Sequence, residues 1–359
     1  MLQKMYTKQP IGTLKIPCSY SRSGKDRLVN MSNSSNSFCI DKINDFRKLS
    51  NLDSIKNYRE YFYNFSKDLN INNESVRWDL LLGKTKCDQY DSEFLKNLKY
   101  SLDNITSYHT EIFPRRKILY ENLTQILDNN NNPIEIPSYS HSSVSGRTTI
   151  KKGYNFLTSK KEFRKNCKSK NKDNILVSID FRACEPNLYL RALGNNISEP
   201  DIYEFLSSSL GIEVKDRSTL KRGILSVLYG ASDSTSSKLL GSNKKNLDKI
   251  KNFFRIEEVE KELRSEFAKS GAIYNLYGRP VYSDKSILNK WIQSSAVDFC
   301  SLAFLNFVEE FDLNVCYLVH DDMVIDINKK EYEKIKGTKE LKDPYSKLSL
   351  PVEVTVLST

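Results

Sequence analysis

The spacing of apolar residues changes several times along the chain, and each change marks an element. From residue 41 to 127 apolar side chains recur at helical intervals. In EIFPRRKILYENLTQILD the stripe is Ile118, Leu119, Leu123, Ile126 and Leu127, with Pro114 suited to the first turn. NNNNP at 129–133 predicts a turn. The period then shortens: residues 175–179 of NILVSIDFRACE form an apolar, β-branched run, which predicts a buried strand closed by Asp180. Helical spacing returns at about 185–193, stopped by Gly194, at 201–211, stopped by Gly211, at 216–230, and across the charged segment 240–270. IYNLYGRPVY at 273–282 predicts a hairpin with Gly278 in its turn. A long, largely buried helix follows at 289–311, then a second hairpin in NVCYLVHDDMVIDI and a last strand in LSLPVEVTV. No internal repeat is present, and residues 1–40, rich in Ser, Asn and Lys, predict loop structure.

Composition narrows the class. A chain of 359 residues with 39% hydrophobic and 11% aromatic side chains can bury a core and form more than one subdomain. The formal charge of +10 favours a polyanionic partner only mildly. That charge is concentrated: from 147 to 172 Lys and Arg stand at 147, 151, 152, 160, 161, 164, 165, 168, 170 and 172 against the single acid Glu162. Interleaved Tyr154, Phe156 and Phe163 favour a nucleic-acid surface there over a plain solvated loop. The seven cysteines are odd in number and form no CxxC pair, so neither a disulfide framework nor a zinc site is expected. Reduced thiols, the lack of an apolar signal core in MLQKMYTKQPIGTLK and the lack of any 18-residue apolar run point to a cytoplasmic protein without a membrane span.

The chemistry lies in the carboxylates. LVHDDMVIDI at 318–327 places Asp321 and Asp322 between two strand-forming runs. An acid at the end of a buried strand is costly unless something compensates it, and this occurs twice, at Asp180 and Asp321. Taken singly, each reads as a turn or cap residue. Side by side, two such strands would hold both carboxylates around one or two divalent cations. Magnesium takes oxygen ligands, and paired ions serve phosphoryl displacement. In DRSTLKRGILSVLYG, Arg217, Lys221, Leu225 and Tyr229 recur every four residues and share one helix face. Two cations a turn apart can clamp a triphosphate; the same pattern also suits an ordinary amphipathic helix.

Together these segments resemble the polymerase domain of family A DNA polymerases over residues 145–359. DFRACE resembles the first catalytic motif, RSTLKRGILSVLYG the fingers-helix motif and VHDD the third motif. SGRTT (145–149) and NKWIQ (289–293) resemble the DNA-facing segments, and all five fall in family order. The resemblance implies an α+β right-hand fold: an antiparallel palm sheet (141–194 and 286–359), helical fingers (195–285), a reduced helical thumb (41–140) and an N-terminal segment (1–40). It implies two Mg2+ ions on Asp180 and Asp321, with Lys221 completing the catalytic set. Arg217, Lys221, Leu225, Tyr229 and Glu185 would bind the dNTP, Glu185 as the block to a ribose 2′-hydroxyl. Arg147, Asn289, Gln293, His320 and Asp322 would support primer-template DNA, and no proofreading exonuclease or 5′ nuclease is expected. Four positions depart from the family pattern: Asp322 replaces the usual Glu, Leu225 an aromatic residue and Ser226 a frequent Gly. The fourth, Pro186, sets the start of its helix one residue later. A single-subunit phage-type RNA polymerase shares the motif order but lacks an equivalent of Glu185; a non-catalytic DNA-binding accessory protein is the other alternative.

Overall fold

A computed structural model describes residues 18–20, 26–28, 108 and 112–358, apart from 142, 196, 198–200, 213–215, 242, 243 and 271. The loop expected at 1–40 and the helices expected from 41 to 111 therefore lie almost wholly outside the described residues. The described chain is mixed α and β, with ten helices and antiparallel sheets. Cys18–Tyr20 (β1) pairs with Asp26–Leu28 (β2). The remaining elements are Phe113–Glu121 (α1), Ser138–Ser140 (β3), Thr149–Lys152 (β4), Lys161–Lys165 (α2), Asn174–Phe181 (β5), Cys184–Ala192 (α3) and Ile202–Leu210 (α4). Arg217–Leu228 (α5), Asp233–Leu240 (α6), Lys244–Phe253 (α7) and Ile256–Ser270 (α8) follow, then Ile273–Tyr274 (β6) and Pro280–Val281 (β7). Ile287–Phe311 (α9), Asn314–Val319 (β8), Asp322–Asn328 (β9), Lys329–Ile335 (α10), Glu340–Lys342 (β10) and Ser349–Ser358 (β11) complete it. Among the described residues no helix is long and apolar enough to cross a membrane.

The main sheet has the strand order β10-β11-β5-β9-β8, and every pairing in it is antiparallel. Opposed residues in such pairs share a face, so the register sorts the side chains into two sets. Val177, Ile179 and Phe181 of β5 lie with Met323 and Ile325 of β9 and Val352 of β11, all buried in the main core. α9 closes that core. It is buried along most of its length, apart from one half-buried stripe and an exposed C-terminal end, and Phe181 meets Phe299 and Phe304 there at ring separations of 5.4 and 4.9 Å. The opposite face changes character along its length. At one end Leu176, Val324 and Tyr317 form a smaller core with Phe156, whose ring stacks on Tyr317 at 3.9 Å. At the other end the same face carries Ser178, Asp180, Asp322 and Glu353.

The helix expected through residue 127 ends at Glu121. Beyond it the Thr124 N–H donates to the Val315 carbonyl at 2.7 Å, and Leu123 and Leu127 enter β-bridges. The edge of β8 for Leu123 and Thr124, and Pro133 and Lys168 for Leu127, supply backbone partners that a further helical turn would forgo. Helix α3 starts at Cys184, ahead of Pro186, rather than after it. Pro186 is the third helical residue, where an N–H would have no intrahelical acceptor, so the ring is tolerated. The basic stretch 147–172 is partly regular, containing β4 and α2. α5 lies tightly on α6: a Cβ on Gly223 would stand 2.6 Å from Leu240 Cδ1, so glycine permits the close approach.

Candidate active site

The site forms where β5 ends beside the β8–β9 turn. Val319 pairs with Asp322, leaving His320 and Asp321 as a two-residue loop. His320 takes a left-handed φ of 58°, a region histidine enters more readily than β-branched residues. The Phe181 N–H donates to the Asp321 carbonyl at 3.0 Å and pins this turn to the end of β5. Asp180 lies opposite Asp322 in the register. Asp321 reaches the site from the loop.

The acids differ in what holds them. Asp322 accepts from Ser178 Oγ at 2.6 Å and from Arg164 Nη1 at 3.3 Å. Desolvation still raises its pKa, with the hydroxyl and guanidinium opposing. Asp180 is exposed by surface area but stands on the floor of a cleft, where surrounding protein removes much of its hydration. That desolvation first, and repulsion from Asp321 and Asp322 second, push its pKa up to about 7. Burial also raises the Asp321 pKa, and Glu185 adds to the repulsion. Among the described residues neither Asp180 nor Asp321 forms an ion pair; Lys161 and Lys221 act on Asp180 without a salt bridge. A pair of under-compensated oxygen donors in a cleft suits a divalent cation. Among the described residues no cluster of three or more His, Cys, Asp or Glu forms a complete cage. Magnesium does not need one, since it binds through one or two carboxylates plus water and substrate phosphates.

The cleft has a volume of about 300 Å³ and is walled by α3, α5 and α9. Ala183, with a left-handed φ of 47°, swings the chain from β5 into α3 and so brings Glu185 over the cleft. Glu185 is held at both oxygens: Arg147 Nη2 donates to Oε1 at 2.7 Å, and the Tyr229 hydroxyl donates to Oε2. Tyr229 caps the C-terminus of α5 rather than lying within it, and its hydroxyl pKa is raised by burial and then by Glu185. Lys221 and Leu225 line the same cleft from α5, and Lys221 has no ion-pair partner among the described residues. Arg217, one turn earlier, is instead bonded to Asp201 with its guanidinium 5.1 Å over the Tyr203 ring, so it stands behind the cleft wall. His320 lines the cleft; burial and then the Arg147 charge lower its pKa. Asn289 and Gln293 do not line it, but with Val297, which does, they form the half-buried stripe of α9.

Several contributors were not legible as motifs. Arg116, fully buried, donates to Asp298 on α9 at 3.0 Å and to the Gly146 carbonyl at 2.5 Å, so it anchors the loop that carries Arg147. Gly146 has φ +75°, and the Arg279 guanidinium fills the space a Cβ would take, which explains glycine in SGRTT. Glu353, directly opposite Asp180 on β11, could have been noticed as the lone acid in LPVEVTV. Arg164 was one cation among ten, with nothing local to single it out. No protein-family model and no curated protein matches this chain.

Proposed function

We propose that the chain is a template-directed DNA polymerase of the family A type, with the β5–β9–β8–β11 sheet as palm and the segment from α4 to β7 as fingers. The observation that carries this reading is the convergence, from four separated segments, of the Asp180–Asp321 carboxylates, a Lys221 with no ion-pair partner among the described residues, and a Glu185 clamped by Arg147 and Tyr229. Asp180 and Asp321 would hold magnesium, which when bound neutralises the reacting phosphates and activates the primer oxygen. Lys221 reaches the anionic end of a nucleotide seated in the cleft, and Leu225 and Tyr229 face its sugar and base from α5. Glu185 presents a fixed carboxylate edge on the sugar side, which favours deoxyribose over ribose and so a DNA rather than an RNA polymerase. The basic segment 147–172 borders the polar face of the sheet and provides phosphate contacts for duplex DNA.

Primer extension in magnesium tests the proposal. The protein is expected to extend a primed template with dNTPs. Asp180→Asn and Asp321→Asn, which keep shape but remove charge, should each lower the rate at least about a thousandfold, equivalent to some 4 kcal/mol of barrier. DNA affinity should change little. Full extension by either variant, or none by the unaltered protein, would overturn the reading.

A further inference from the structure

A second concavity lies on the other flank of α3. Asn187 and Arg191 line it, roughly 200° and 240° around the helix from Glu185 at 100° per residue. Its volume is about 820 Å³, larger than the carboxylate cleft. Three parts of the fold build it. These are the β5–α3 connection and α3 itself, the loop from α10 into β10, and the outer edge of β11, which β10 covers only over residues 349–351. Val352 and Val354 of that uncovered edge, with Ile197, give it an apolar wall.

Four cations line it: Arg182, Arg191, Lys336 and Lys339. The acids nearby neutralise them incompletely. Arg182 meets Glu353 only at 3.8 Å, with both side chains well exposed, and Lys336 is bonded to Glu333 of its own helix at 2.6 Å. The second lining acid, Glu340, accepts from Ser349 Oγ at 3.0 Å. Arg191, from α3, and Lys339, from the loop between α10 and β10, have no ion-pair partner among the described residues. Unpaired cations facing a shared concavity focus a positive potential into it.

We infer that this concavity is a binding site for a polyphosphate anion, with Arg191 and Lys339 as its principal ligands and Arg182 and Lys336 at its rim. An Arg fork and a Lys point charge together match vicinal phosphate groups. None of the lining side chains is aromatic, so the site lacks the stacking platforms with which single-stranded nucleic acid is held, and it reads phosphate without reading a base. Inorganic pyrophosphate and the triphosphate of a free nucleotide are the two sources of this chemistry. The inference stands on this cleft alone and does not depend on the polymerase reading.

Equilibrium binding of radiolabelled pyrophosphate and of radiolabelled dATP, in chelator-treated buffer at low salt, tests it on the full chain. In Lys221→Ala, which removes the free cation of the other cleft, saturable binding should persist. Adding Arg191→Ala and Lys339→Ala should weaken it by about tenfold or more. Equal weakening for both probes and mutual displacement assign the ligand as polyphosphate in general; weakening for only one assigns that source. The single exposed charge reversal Lys339→Glu, with an unchanged circular dichroism spectrum, should give the same loss without a folding defect. Binding that the double substitution leaves unaltered, that Lys221→Ala alone abolishes, or that an unphosphorylated oligothymidylate displaces as well as pyrophosphate does, would overturn the inference.

Discussion

The Glu185 clamp yields the sharpest prediction of the polymerase reading, because its parts can be removed one at a time. The carboxylate accepts from Arg147 at 2.7 Å and from the Tyr229 hydroxyl, so neither oxygen is free to swing aside for a ribose 2′-hydroxyl. Tyr229→Phe removes one donor and leaves the Arg147 contact. A single hydrogen bond of this kind contributes about 1–1.5 kcal/mol, so the preference for dNTP over rNTP should fall about 5- to 10-fold. Glu185→Ala removes the blocking group itself and strands both donors, which corresponds to about 1–3 kcal/mol, or roughly 10- to 100-fold. The assay is single-turnover primer extension with one dNTP and the matching rNTP, compared as the ratio of kcat/KM. Thermal melting of each variant separates selectivity from stability. If Glu185→Ala melts early but discriminates sugars as before, Glu185 only braces α3 and the sugar-gate argument is refuted. A larger loss in Tyr229→Phe than in Glu185→Ala would refute the clamp.

Three further outcomes are expected. Lys221→Ala should raise the KM for dNTP while leaving primer-template affinity unchanged in a filter-binding titration, because this cation lines the cleft with no ion-pair partner among the described residues; the reverse pattern would place α5 on the DNA. Arg116→Met leaves Asp298 buried with, among the described residues, Tyr108, Asn275 and a more distant Arg279, and should destabilise the fold by about 3–5 kcal/mol in chemical denaturation. Arg116→Met combined with Asp298→Leu should recover part of that loss, and no recovery would mean the pair itself is not the source. His141 has a buried Nδ1 without a hydrogen-bond partner between the Tyr120 and Phe113 rings; desolvation first, then the Arg116 and Arg279 charges, depress its pKa to about 3. Its folded pKa lies below the unfolded value, so its contribution is complete above about pH 6.5 and drains away as pH falls toward 3, amounting to about 1–2 kcal/mol by pH 5. His141→Phe should therefore flatten the acid limb of a stability-against-pH curve, and an unchanged limb would exclude His141 as its source.

Sequence alone determined the elements whose reasons are local. The apolar run of β5, the glycines that close α3 and α4, the hairpin at Gly278 and the continuous apolar helix α9 are all set by period and turn chemistry within a few residues. Part of the candidate chemistry was legible in the same way: Asp180, Asp321, Lys221 and Tyr229 stand out by residue type and spacing, Glu185 by the resemblance of DFRACE to a family motif, and the structure brings these five to one cleft. What sequence left open depends on partners far along the chain. The stripe ending in Ile126 and Leu127 has helical period, yet the β8 edge bonds Thr124, and Ile134 and Lys168 bond Ile126 and Leu127, so these residues leave the helix. Arg217 has the same spacing as Lys221, but Asp201 and Tyr203 of another helix turn it from the cleft. The different surroundings of Asp321 and Asp322 were decided by register: Asp322 falls opposite Asp180 within reach of Ser178 and Arg164, and Asp321 falls in the turn. No local pattern encodes that arrangement, because a carboxylate's role depends on which charges and donors the folded chain places beside it, and those lie more than a hundred residues away.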